Sequence, residues 1–283
     1  MSIQLITDSN CDLPKEIIQK YNIEVLPQLV YLDEVEYLDG VTLEAKKLFD
    51  DMRAGKVYKT SQLSPNMFVE VFTKYVKEGQ DCMYVGFSSN LSGTYQASEI
   101  AKEEVLEDYP DAMITTIDTK CASMGFGLVV YQTALMIEEG LSKEAIINKT
   151  KENAEHMEHI FTVDNLEYLY RGGRVSRTSA FVGGLLNIKP ILNVEDGKLI
   201  PIEKVRGRSK VFKRMLEIMK ERGSNLKNQT IGISHGDDLE AANKLKDMIK
   251  EEFGCEAFII NNIGCSVGAH SGPGTLALYF SNQ

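Results

Sequence analysis

Residues 191–205 read ILNVEDGKLIPIEKV, two apolar β-branched runs joined by Asp196-Gly197. Asp-Gly tolerates the two left-handed positions of a tight hairpin turn, so the runs 188–194 and 198–205 are predicted to pair antiparallel. Further strand candidates in this half are 160–163, 230–234, 257–261 and 275–280, which makes its sheet mixed. Working back toward the N-terminus, the grammar differs. Strand-like runs at 3–7, 24–32, 81–86 and 113–118 alternate with helical patterns, the signature of a parallel α/β sheet. Ser64-Pro65 offers an N-cap and a first-turn proline, followed by Phe68, Val71, Phe72, Tyr75 and Val76 at helical spacing. Helices are also predicted over 92–107, 123–139 and 143–156. At 283 residues the chain suits two domains, 1–156 as a Rossmann-like α/β domain and 157–283 as an α/β domain with a mixed sheet.

Composition narrows the function classes. A net charge of −10 and the absence of Trp oppose nucleic-acid binding, which depends on neutralising phosphates. Five cysteines (Cys11, Cys82, Cys121, Cys255, Cys265) without CxxC spacing argue against a disulfide framework and a zinc knuckle and fit a reducing cytoplasm. The N-terminus shows no signal-peptide pattern. The weakly charged stretch 122–137, broken by Gly125, Gly127, Gln132 and Thr133, is too short to span a membrane and reads as a buried helix. Charge is uneven: residues 171–214 hold eleven Lys or Arg against Glu195, Asp196 and Glu203, a local +8 that leaves −18 elsewhere. This is either a solvated face or a surface for an acidic partner or phosphate.

In α/β sheets ligands gather at the carboxyl ends of strands, and three polar clusters stand there: TDSNCDLP (7–14), SSNLSGT (88–94) and DTKCASMG (118–125). SSNLSGT opens a helix. Its hydroxyls fit N-capping, or they fit binding of a carboxylate or phosphate at the positive helix end, with Gly93 permitting close approach. GxSxG is absent, which disfavours a hydrolase nucleophile at Ser92. Cys265 or Cys121 with His270 remains a Cys/His alternative to cysteines that simply pack. No Walker motif occurs, and GFGLVV at 125–130 lacks a dinucleotide fingerprint. His235, Asp237 and Asp238 suggest a metal less well than they suggest a helix start, with Asp237 and Glu240 at capping-box spacing. His156 and His159 read as surface or boundary residues. Arg171 and Arg174 flank a Gly-Gly turn that brings guanidinium groups toward an anion, or simply ends a helix from Asn165. His270 is expected in a Gly/Pro loop before an apolar strand.

The ordered set TDSNCDLP, TSQLSP (60–65), GFSSNLSGTYQ (86–96), DTKCASMGFG (118–127), NLEYLYRGGRVS (165–176), IKPIL (188–192) and GAHSGPGTLALYF (268–280) resembles the DegV family of fatty-acid-binding proteins. The resemblance runs end to end and implies an N-terminal three-layer domain and a C-terminal mixed-sheet domain. It implies a long-chain fatty acid in a tunnel near their junction, with Thr60 and Ser92 as hydroxyl donors to its carboxylate. Ser61, Gly93 and Thr94 are the implied neighbours, and Arg171 and His270 polar members of the head-group region. Burying about 14 methylenes supplies on the order of 10 kcal/mol before association costs, so head-group contacts mainly set orientation. Phe181, Leu185, Leu186 and Ile191 are candidates to line the tunnel or to be plain core.

The family further implies a carrier without catalysis or cofactor, serving a fatty acid kinase that makes an acyl phosphate. Arg171, Arg174, Arg206 and Arg208 become docking candidates, and a cytoplasmic monomer in transient membrane contact is expected. Cys11, Leu63, Cys121 and Cys265 depart from the commoner family wording. The rival readings are a thioesterase-like hydrolase using Cys265 and His270, and a phosphometabolite-binding regulator.

Overall fold

The computed structural model describes residues 2–176 and 188–283. Its strands are β1 (Ile3–Asp8), β2 (Glu24–Leu26), β3 (Leu29–Leu32), β4 (Val35–Leu38), β5 (Tyr58–Ser61), β6 (Asp81–Gly86) and β7 (Ile114–Asp118), followed by β8 (Met157–Thr162), β9 (Ile188–Glu195), β10 (Lys198–Arg206), β11 (Thr230–His235), β12 (Ala257–Asn262) and β13 (Leu276–Ser281). The helices are α1 (Lys15–Lys20), α2 (Ala45–Arg53), α3 (Pro65–Lys77), α4 (Thr94–Asp108), α5 (Ser123–Glu138), α6 (Lys143–Glu155), α7 (Glu167–Arg171), α8 (Arg208–Arg222), α9 (Leu239–Phe253) and α10 (Cys265–Ser271).

The first half builds a parallel sheet in the order β2-β1-β6-β7. Phe68 and Phe72 of α3 and Ala97 and Ala101 of α4 pack with Ile6 and Tyr84 on one face. On the other, α5 and α6 join Leu5, Met83 and Val85. The second half builds a six-stranded mixed sheet, β10-β9-β8-β13-β11-β12, in which β11 and β12 alone run parallel. Alternation decides its faces. Ile160, Ile191, Ile233 and Leu278 turn toward α8 and α9. Phe161, Leu192, Ala277 and Tyr279 turn toward α5, whose residues from Ser123 to Val130 are all buried because both sheets lean on it.

Asp196 and Gly197 both take positive φ, 45° and 72°, so the hairpin closes as its sequence predicts. The run 24–32 is not one strand. Pro27 has no N–H to give a ladder, and the chain passes there from the parallel sheet to an antiparallel one, β4-β3-β5, that the sequence reading did not foresee. Two caps also differ. Ser64 precedes α3 without a side-chain bond, and α9 is capped by Asp238, whose carboxylate accepts from Ala241 N at 3.0 Å, not by Asp237. Asp237 instead pairs with Arg53. No helix among the described residues is long and apolar enough to cross a membrane.

Candidate functional site

Between α5, the inner face of the six-stranded sheet and α10 lies a cavity with about 90 Å3 open to the centre of a water-sized sphere. Phe87, Leu91, Phe161, Leu169, Val194, Leu199, Ile263 and Val267 give it a mostly apolar wall. Polar groups concentrate where β5, α10 and the loop before α4 converge: Thr60, Ser61, Gln62, Ser92, Arg174 and His270.

The four hydroxyls of GFSSNLSGTYQ divide their labour. Ser88 Oγ donates to Gly197 O at 2.8 Å, fastening the loop to the β9–β10 turn, and Ser89 Oγ accepts from Lys120 Nζ at 2.7 Å. Neither lines the cavity. Thr94 is fully buried and its Oγ1 accepts from Gln28 Nε2 and from Leu63 N, each at 3.3 Å. With both lone pairs engaged, its one proton goes to Ser92 Oγ, 2.9 Å away. Ser92 Oγ also accepts from Thr94 N at 3.3 Å, so its own O–H remains to donate into the cavity. Thr94 therefore orients the donor and Ser92 is the donor. Gly93 makes room for a side chain: a Cβ there would stand 1.8 Å from Gln62 Oε1.

Across the site, Thr60 Oγ1 lies 2.7 Å from His270 Nε2. His270 belongs to α10, not to a loop, and Gly172 comes so near that a Cβ on it would meet Nδ1 at 2.2 Å. Burial, with the charge of Arg174 adding to it, lowers the imidazole to about 4, so it is neutral at ordinary pH. Arg174 is anchored by Nε to Leu91 O at 3.2 Å and Nη1 to Gly172 O at 2.5 Å. A second basin is lined by Lys56, Lys59, Tyr168 and Arg171, and it shares Thr60, Arg174 and His270 with the cavity.

The sequence-predicted residues thus fall into groups. Thr60, Ser92 and His270 line the cavity and Thr94 supports it, while Ser61 sits exposed at its rim. Arg171 is exposed and stacks over Tyr168 in the second basin, so the guanidinium lining the cavity is that of Arg174. Arg206 ends β10 on the surface and Arg208 pairs with Asp238. Ile191 is core on the opposite sheet face, and Phe181, Leu185 and Leu186 lie outside the described residues.

Cys265 and His270 form no dyad. The Cys265 thiol donates to Leu43 O at 3.2 Å inside the α2–α10 core, and burial, with Asp39 nearby, pushes it up in pKa, the reverse of an activated nucleophile. Cys121 is likewise buried, its thiol donating to Ala154 O at 3.5 Å. His235 Nδ1 accepts from Asp238 N at 3.1 Å, and among the described residues no cluster of His, Cys, Asp or Glu has metal-binding geometry.

Sequence reading passed over Ser271, whose 5% exposed hydroxyl lines the cavity with no partner among the described residues, and Gln28, which fixes Thr94. It also misplaced His159, which is buried in the cavity wall rather than at a surface or boundary. The alternation of β8, with His159 and Phe161 on one face, was the available signal.

Comparison with known proteins agrees with this architecture. The profile of the family described as "uncharacterised protein, DegV family" matches residues 2–283. A DegV domain-containing protein of Clostridium perfringens is 43% identical over 279 residues, covering 98% of this chain and 96% of its own. A solved structure described as showing fatty acid binding of a DegV family protein from Thermus thermophilus superposes with a TM-score of 0.91 at 31% identity, covering 99% of this chain and 100% of that one. A fatty acid (stearic acid)-binding protein from Eubacterium ventriosum does so with a TM-score of 0.91 at 29% identity, covering 99% and 97%.

Proposed function

Because the chain belongs to the DegV family, we propose that it binds a long-chain fatty acid in this cavity and presents the carboxylate to a partner kinase for conversion to an acyl phosphate. The observation that carries the reading is the uncommitted O–H of Ser92 at the N-terminus of α4, in the polar end of a mostly apolar cavity. A buried carboxylate is costly unless hydrogen-bonded, and a hydroxyl donor beside the positive end of a 15-residue helix meets that need without a fixed charge. Thr60 is the second donor. With the imidazole proton on Nε2, His270 donates to Thr60 Oγ1 and frees the Thr60 O–H for the ligand. The stearic acid-binding relative supports an acyl ligand of this kind.

Presentation draws on the second basin. Thr60, Arg174 and His270 separate it from the cavity, and Lys56, Lys59 and Arg171 line it, so phosphate added at the head group would meet cations there. In this reading residues 1–156 and 157–283 are two domains with the ligand between them. The protein is a cytoplasmic, monomeric carrier without a cofactor, touching membranes only to exchange lipid.

Mass spectrometry of a mild organic extract of the purified chain tests the ligand: one fatty acid per chain is expected, and recovery of only a phosphorylated metabolite sinks the proposal in favour of an anion-binding regulator. The docking role of Arg171, Arg174, Arg206 and Arg208 is tested by reversing the charges of Arg171, Arg206 and Arg208, which do not line the cavity. Kinase turnover is expected to fall with lipid binding intact, and unchanged turnover removes that surface.

A further inference from the structure

The end of the cavity away from Thr60 is closed by one row of the six-stranded sheet. Leu199 pairs with Val194 and Tyr279 with His159, and one step from the Ile160–Asn193 pair sets His159 beside Val194. All four side chains line the cavity, as do Phe161 and Ala277 in the next row toward Thr60. One row the other way the surroundings change. Met157 and Asp196 line an open basin with Lys120, Lys151 and Glu155. Among the described residues only His159 and Val194 line both spaces, so these two side chains are the partition between the cavity and the basin.

The partition is rigid and uncharged. His159 Nε2 accepts from Ala122 N at 3.1 Å and Nδ1 lies 3.0 Å from Met157 O, so both ring nitrogens are satisfied by backbone. Its ring meets Tyr279 edge to face at 5.4 Å, and Gly125 lies so close that a Cβ would stand 2.4 Å from Nε2. Burial also holds the imidazole near 4, well below its usual range. The histidine thus offers the cavity ring surface rather than a polar atom.

Building on the fatty-acid reading, we infer that His159 and Val194 set the acyl chain length: the terminal methyl stops against them, and the basin beyond accepts longer chains only when the pair is trimmed. One further sheet row is ~6.8 Å, about five carbon–carbon bonds of extended chain.

The test uses the full-length protein stripped of lipid, offered an equimolar set of saturated acids from about 12 to about 24 carbons, with retained species read by mass spectrometry. Val194→Ala, which keeps the His159 hydrogen bonds, and His159→Ala are both expected to move preference toward longer acids. The dissociation-constant ratio of long to wild-type-length acid should fall about tenfold, the worth of roughly two more buried methylenes. Val194→Phe should move preference toward shorter acids. If Val194→Ala and Val194→Phe retain acid with the wild-type ranking, the gauge is disproved while lipid binding stands. If wild type retains no acid of any length, the fatty-acid reading fails and takes the gauge with it.

Discussion

Thr60 and His270 lie 210 residues apart in sequence, yet Thr60 Oγ1 and His270 Nε2 are 2.7 Å apart. The bond ties β5 to α10 at the border between the apolar cavity and the cationic basin. It makes two residues act as one unit. In a double-mutant cycle, Thr60→Val and His270→Phe should therefore be non-additive for fatty acid binding, with a coupling of about 1 kcal/mol by titration calorimetry. Additive losses would mean that each touches the ligand independently.

Ser92→Ala should weaken fatty acid binding by about 1–3 kcal/mol, because a ligand oxygen is left unsatisfied in a buried site, while thermal stability changes little. Thr94→Val should cost a similar amount although Thr94 does not line the cavity, since Ser92 then loses its orienting donor. Thr94→Ser should restore binding. A Thr94→Val protein that binds like wild type contradicts the proton accounting.

Gly172→Ala places a methyl where His270 Nδ1 lies 2.2 Å away, so the imidazole must move. Head-group binding should weaken about tenfold without loss of any polar group, if the displaced ring breaks one hydrogen bond of ordinary strength. Equal affinity would show that the ring position is immaterial.

Cys265→Ala should leave fatty acid binding intact and cost about 1–2 kcal/mol in denaturant unfolding, from a lost buried side chain and its bond to Leu43 O. Acyl-thioester turnover that disappears with this substitution would instead support the hydrolase reading.

Burial lowers His159 to about 4 in the folded chain against about 6.5 when unfolded. As pH falls from 6.5 toward 4 the unfolded chain takes up a proton that the native histidine refuses, so this residue's share of stability is present above 6.5 and lost on the way down, up to about 3 kcal/mol. The buried carboxyls of Asp8, Asp12 and Asp39 are raised by desolvation and act in the opposite sense, so the wild-type profile alone is a sum of both. Comparison isolates the histidine. His159→Gln should be less stable than wild type at pH 7.5 and should close that gap by pH 4.5 in chemical denaturation of lipid-free protein; a constant gap refutes the assignment.

Local rules wrote much of this fold into the chain. The Asp196-Gly197 turn, the strand–helix alternation of the first half and the helix after SSNLSGT follow from backbone preferences and periodicity, which act over a few residues. Ser92 was legible as a polar residue at a helix start, whereas Thr60 and the head-group role of His270 came only with the resemblance to the DegV family. The split at Pro27 was legible too and was overrun by the apolar pattern around it.

Periodicity says which residues share a face but not what that face meets. Ile191 and Leu192 are equally apolar, and only the packing of α8 and α9 on one side and α5 on the other turned Ile191 away from the cavity. Arg171 and Arg174 look alike in YRGGR, and three residues of turn sent one into solvent and the other against Leu91 O. His159 looked incidental until three strands laid it beside Tyr279 and next to Val194. Such meetings depend on side-chain contacts between segments far apart in the chain, and no short-range preference encodes them.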